Sequence, residues 1–133
     1  MHIPPEESHG GNRTWSAKFT DAFRGIRLGV QDQSSFFVHF FVATAVVIAG
    51  AVLGIDNRLE WCLLLLCIAG VLTAEMFNTA LERIARAVTD EFHPDVGAAL
   101  DIGSGAVLIA SLGAAAVGTI IFLAHLGTLL GWW

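Results

Sequence analysis

Residues 61–74 run without a single charge, and the run ends by placing Glu75, Asn78 and Glu82 close behind it. A stretch of that kind must be covered by lipid or by other protein. In lipid its backbone N–H and C=O groups must also be paired within the segment, which a helix achieves. Asn78 follows Glu75 by three positions and Glu82 follows it by seven. At about 100° per residue the three share one helix face, with the carboxylates roughly 10 Å apart along the axis. Ionisable groups at membrane depth cost free energy and mark sites where chemistry uses them. For Glu82 alone, an ordinary residue at the water boundary is an equal reading; the shared face of all three favours a site.

The rest of the chain agrees with lipid as the solvent. Residues 36–55 are a second apolar run, about 20 long, which matches the ~30 Å hydrocarbon core of a bilayer. A third begins near residues 96–98 and continues to about 126, and no charged residue follows Asp101. The chain is 55% hydrophobic and 14% charged, against ~25% charged in soluble domains. These features predict an all-α membrane protein with three transmembrane helices, at about 36–55, 59–88 and 98–126, in a single domain spanning 14–133. A formal net charge of -5 is unsuited to nucleic acid, which needs a basic face. Cys62 and Cys67 lie on different helix faces, cannot bridge each other, and are expected to pack.

Residues 1–13 are polar, with Pro4-Pro5, Glu6-Glu7 and Gly10-Gly11, and are expected to form a disordered leader and not a cleavable signal sequence. From about 15 to 32, Trp15, Phe19, Phe23, Ile26 and Val30 recur at helical spacing, while Lys18, Asp21 and Arg24 fall off that stripe. Beside membrane spans, this pattern predicts an amphipathic helix lying in the interface more readily than a soluble core helix. In the third span Ala106, Ala110, Ala114 and Gly118 form one row of small residues, and Gly103, Val107, Ser111 and Ala115 a second. Such rows let membrane helices approach closely.

Lysine and arginine set the orientation. Arg13, Lys18, Arg24, Arg27, Arg83 and Arg86 flank the first span's N-terminal side and the connection between the second and third, and Arg58 alone lies in the opposite turn. The N-terminus and the connection 88–95 are therefore expected in the cytosol. Glu75, Asn78 and Glu82 then run from membrane depth to the cytosolic surface, where Asp101 opens the third span.

The residues just described resemble the small prokaryotic diacylglycerol kinase and undecaprenol kinase family over about 19–122. The resemblance rests on Ala22-Phe23-Arg24-Gly25-Ile26-Arg27, on Glu75-Met76-Phe77-Asn78-Thr79-Ala80-Leu81-Glu82, on Asp90-Glu91-Phe92-His93-Pro94 and on Asp101-Ile102-Gly103-Ser104-Gly105-Ala106-Val107. It implies a homotrimeric, multi-pass enzyme of the cytoplasmic (inner) membrane that moves the γ-phosphoryl of ATP, with magnesium, to a lipid hydroxyl. It further implies a site shared between neighbouring chains. By position, Glu75 matches the general base, Asn78 and Asp101 match polar active-site residues, and Glu82 matches a metal-binding glutamate. Glu91 and His93 lie in the segment that meets the nucleotide. Phosphoryl transfer needs positioning and charge neutralisation more than covalent help, and the chain has no P-loop motif to supply the soluble alternative.

Three departures bear on the metal and phosphate end. The family's metal-binding glutamate of the surface-helix side falls at Gln33, whose amide oxygen can ligate magnesium without adding charge; Asp32 stands next to it. The family's aspartate one turn after Glu82 falls at Arg86, and the lysine before the third-span aspartate falls at Leu100. Arg86 either replaces the missing phosphate-binding charge or pairs with Glu82 at i,i+4. Between acceptors, residues 90–94 lean towards undecaprenol over diacylglycerol. The competing functions are a non-catalytic trimeric scaffold or lipid-binding relative, supported by Gln33 and Leu100, and, last, a transporter or proton relay using Glu75.

Overall fold

The computed structural model describes residues 14–31, 34–89, 91 and 93–132, with the side chains of Ser34 and Ser35 excepted. The expected leader, and Asp32 and Gln33 with it, lie outside the described residues. The described chain is all α: α1 Trp15–Val30, α2 Ser34–Val52, α3 Arg58–Val88 and α4 Pro94–Leu129.

The ends of these helices follow from local chemistry. The Thr14 hydroxyl accepts from the Ala17 N–H at the start of α1, and the Asn57 side chain accepts from the Leu59 N–H at the start of α3. Pro94 opens α4, where a missing N–H costs nothing. α2 and α4 close alike. At α2, Gly54 (φ 71°) donates to the Ala51 carbonyl and Ile55 to that of Gly50. At α4, Gly131 (φ 69°) donates to Thr128 and Trp132 to Gly127. Each is a Schellman closure, which needs a left-handed residue at the position glycine fills. This is why α2 stops at Val52, short of the expected 55, and why α4 runs on to Leu129, past the expected 126.

α3 is the central element: α4 packs along it, and α2 and α1 each pack on it. Ile55, Leu64 and Ile121 form a small buried cluster at one end, with Val46, Trp61, Val117 and Phe122 against it. The Trp61 Nε1–H donates to the Ile55 carbonyl at 2.9 Å. A Cβ added to Gly50 would lie 2.9 Å from the Trp61 ring, so this glycine admits the indole. Along α4 the covered face takes Gly103, Val107, Ala110, Ser111, Ala114, Val117, Gly118 and Ile121, while Ala106 and Ala115 are exposed. The interface thus steps between the two small-residue rows. A strict four-residue row advances about 40° per step around a helix and drifts off a straight neighbour.

α3 and α4 are each long and apolar enough to cross a membrane, and only 11% of the most apolar 18-residue window of either is buried. A core helix of a soluble protein would be mostly covered, so these faces need lipid or another protein. α2 is shorter, with an apolar segment Phe36–Val52. α1 keeps its apolar stripe outward: Trp15, Phe19 and Phe23 are 75%, 62% and 69% exposed.

Candidate active site

The buried polar residues of the described chain are Glu75, Asn78 and Thr79, at 3%, 9% and 2% exposure, all on α3. Helical spacing places Glu82 beyond them on the same face, half-buried. Asn78 Nδ2 donates to Glu82 Oε1 at 2.9 Å. Among the described residues, the buried Asn78 Oδ1 has no hydrogen-bond partner. It lies against Gly103 of α4, where an added Cβ would sit 2.6 Å from it. Gly103 therefore leaves the volume that the Asn78 amide fills, and the amide's N–H side faces the carboxylate. The reversed amide would set two oxygens against each other.

The other helices complete the surroundings. Glu75 Oε2 is 3.9 Å from His39 Nε2 of α2, and Phe36, one turn earlier on α2, is buried. α1 docks by its end. Gly29 packs on Met76, and the Arg83 guanidinium donates to the Leu28 carbonyl at 2.8 Å. The last turn of α1 and the first turns of α2 thus both rest on α3 near Glu75. An apolar groove of about 480 Å³ opens between α2, α3 and α4, walled by Val42, Val46, Val71, Ala114 and Phe122, with His39 among its lining.

The remaining sequence-predicted residues stand apart from this cluster within the one chain. Asp101 is exposed and, two residues from Gly103, lies about 200° around α4 from the Asn78 contact. Glu91 and His93 are exposed beside the start of α4; Glu91 N–H donates to Thr89 Oγ1 at 3.0 Å, and His93 Nδ1 is 4.0 Å from Asp95 Oδ2. His93 lines a second cleft, of about 540 Å³, between the end of α3 and the start of α4, with Ile84, Val88, Thr89 and Leu100. Arg86 is exposed. No group of three or more metal-ligating side chains gathers among the described residues.

From sequence, His39, the one titratable residue within 36–55, reads as an interface or packing residue, and neither the Asn78–Gly103 contact nor Thr79 stands out. No periodic signal links His39 to Glu75, since they lie on different helices. Far from this site, His125 Nε2 meets Glu60 Oε2 at 2.7 Å between α4 and α3.

A family model described as prokaryotic diacylglycerol kinase matches residues 20–122. The chain is 34% identical over 108 residues to the undecaprenol kinase of Bacillus subtilis (strain 168), covering 81% of this chain and 87% of that protein. It is 31% identical over 113 residues to a diacylglycerol kinase of Synechocystis sp., covering 84% of this chain and 64% of that protein. Against the diacylglycerol kinase of Escherichia coli (strain K12), identity is 27% over 106 residues, covering 80% and 86%.

Proposed function

The chain belongs to the prokaryotic diacylglycerol kinase family and is a lipid kinase; from that premise we infer that it transfers the γ-phosphoryl group of ATP, with magnesium, to the hydroxyl of a membrane lipid alcohol at the cytosolic face of the membrane. The observation that carries this reading is the Glu75–Asn78–Glu82 face of α3, with Glu75 and Asn78 buried and Asn78 packed on Gly103 of α4, in two long apolar helices. In this reading α2, α3 and α4 span the bilayer, and α1 lies in the cytosolic interface on its exposed aromatic stripe.

Glu75 is the general base. It is nearly water-free, beside the apolar groove in which the acceptor's hydrocarbon chain would lie, and it takes the proton as the hydroxyl oxygen attacks phosphorus. Asn78 holds the Glu82 carboxylate in place through its N–H. The donor set suits magnesium: it is all oxygen, and this ion commonly takes one or two carboxylates and fills its shell with phosphate oxygens and water. Glu82 would hold it, with Asp32 or Gln33 from the end of α1 as the next ligand. Bound there, magnesium would offset the phosphate charge. The cleft lined by His93 would receive the nucleotide base, with Glu91 at its edge, and Arg86 would reach phosphate.

Asp101 stands on the outer side of α4. This favours a site completed by a neighbouring chain; that the chains number three is what the family resemblance implies. Undecaprenol ranks before diacylglycerol as acceptor, because the relative at 34% identity carries the former name over 87% of its length.

The test is phosphate transfer from labelled ATP to polyprenol and diacylglycerol, with the protein in magnesium-containing bilayers. Wild type should label one of them, and Glu75→Gln should lower turnover about 10³-fold without loss of the folded oligomer. No labelled product from either lipid would overturn the reading.

A further inference from the structure

A buried base has to dispose of its proton. The Glu75 side chain is 4% exposed, whereas His39, 3.9 Å away, is 21% exposed and lines the groove between α2, α3 and α4. A proton that reaches Glu75 is enclosed; one on His39 stands at an opening. Around His39, α3 brings Glu75 and Cys67, and α4 brings Ser111 and Thr119, which do not titrate at ordinary pH. α1 meets α3 at Met76 and Arg83, with the Arg83 guanidinium engaged by the Leu28 carbonyl. Asn78 and Glu82 follow Glu75 on its own helix and are joined to each other. What sets His39 apart from a histidine that only packs is its place between a buried carboxylate and an open groove; imidazole is the side chain that changes charge nearest neutral pH.

We propose that His39 is a positioning residue for the transfer: it takes the proton from Glu75 after each turnover and returns Glu75 to its ionised form. This rests on the reading of Glu75 as the base. In the chemical step the acceptor's O–H bond breaks as its oxygen bonds to phosphorus. The P–O bond to ADP breaks, and ADP leaves with that electron pair. The proton goes to the Glu75 carboxylate, then to His39 Nε2, and from the imidazolium to water at the groove. The 3.9 Å separation closes by a small side-chain rotation or through one bridging water, as catalytic contacts tighten when substrate is bound.

The experiment measures turnover and both Michaelis constants across the neutral pH range. It uses the full chain in bilayers as wild type, Glu75→Gln, His39→Gln and His39→Ala, the last with and without added imidazole. The expected result for both His39 variants is a fall in kcat of about 10- to 100-fold, with Michaelis constants changed less than about 2-fold. Imidazole restores His39→Ala several-fold and does nothing for Glu75→Gln. If His39→Ala fails to assemble, His39→Gln decides. Wild-type turnover in the His39 variants beside a dead Glu75→Gln overturns this proposal alone. So does a raised Michaelis constant with unchanged kcat, which would make His39 part of the lipid seat. An active Glu75→Gln overturns the base and this proposal with it, and an inactive wild type overturns the kinase reading itself.

Discussion

At one end of α3, Glu60 meets His125 at 2.7 Å, Trp61 donates to the Ile55 carbonyl at 2.9 Å, and Leu64 is packed between Ile55 and Ile121. At the other, Glu75 stands 3.9 Å from His39, and Asn78 buries an oxygen that no donor among the described residues reaches. Both ends set polar groups between α3 and its neighbours. The first pairs Glu60 with His125 and the Trp61 N–H with a carbonyl, beside an apolar cluster. The second keeps an unspent acceptor and a long carboxylate–imidazole gap. Buried polar atoms without partners cost roughly 1–3 kcal/mol each, so they persist where something other than stability selects them. The end at Trp61 holds the helices together, and the end at Asn78 is held ready.

Two glycines offer the sharpest way to break this contrast, since each accepts a side chain of α3. Gly103→Ala would drive a methyl against Asn78 Oδ1, displacing the amide from Glu82. The expected outcome is at least a 50-fold loss of phosphate transfer, measured per folded protein, since a displacement of about 1 Å suffices for a large loss. Gly50→Ala at the far end meets the Trp61 ring instead. It should cost about 1–3 kcal/mol of stability, seen as a lower unfolding midpoint in detergent, with turnover per folded protein unchanged. Equal loss of activity in the two variants would abolish the distinction between the ends. A smaller effect separates phosphate binding from helix pairing at the cytosolic end. Arg86→Ala should raise the Michaelis constant for ATP by several-fold, about 1 kcal/mol, and leave the midpoint in place. An unchanged constant would leave Arg86 as a solvated residue.

The all-helical architecture was legible in the sequence because apolar runs in lipid leave the backbone few choices. The face carrying Glu75, Asn78 and Glu82 was legible because helical spacing alone brings it together. The contacts that make it a site were not. Gly103 meets Asn78 and His39 meets Glu75 across helices, and no periodicity within one helix encodes a pairing with the next. The small-residue rows of α4 misled in detail for a related reason: a four-residue repeat marks a stripe that winds, and only the neighbouring helix decides where the contact changes row. The closures at Gly54 and Gly131 carried a local signal, a glycine at or just past the end of an apolar run, which hydropathy alone passes over.

The unequal lengths of the helices carry a consequence for the membrane around them. α3 has 31 residues and α4 has 36, about 46 and 54 Å of helix against a hydrocarbon core of ~30 Å. α2, with 19 residues, reaches only about 28 Å. In the arrangement proposed, the long pair tolerates a thicker or thinner bilayer by sliding or tilting, while α2 has no length to spare. Strain from a mismatched membrane therefore falls first on α2, the helix that carries His39.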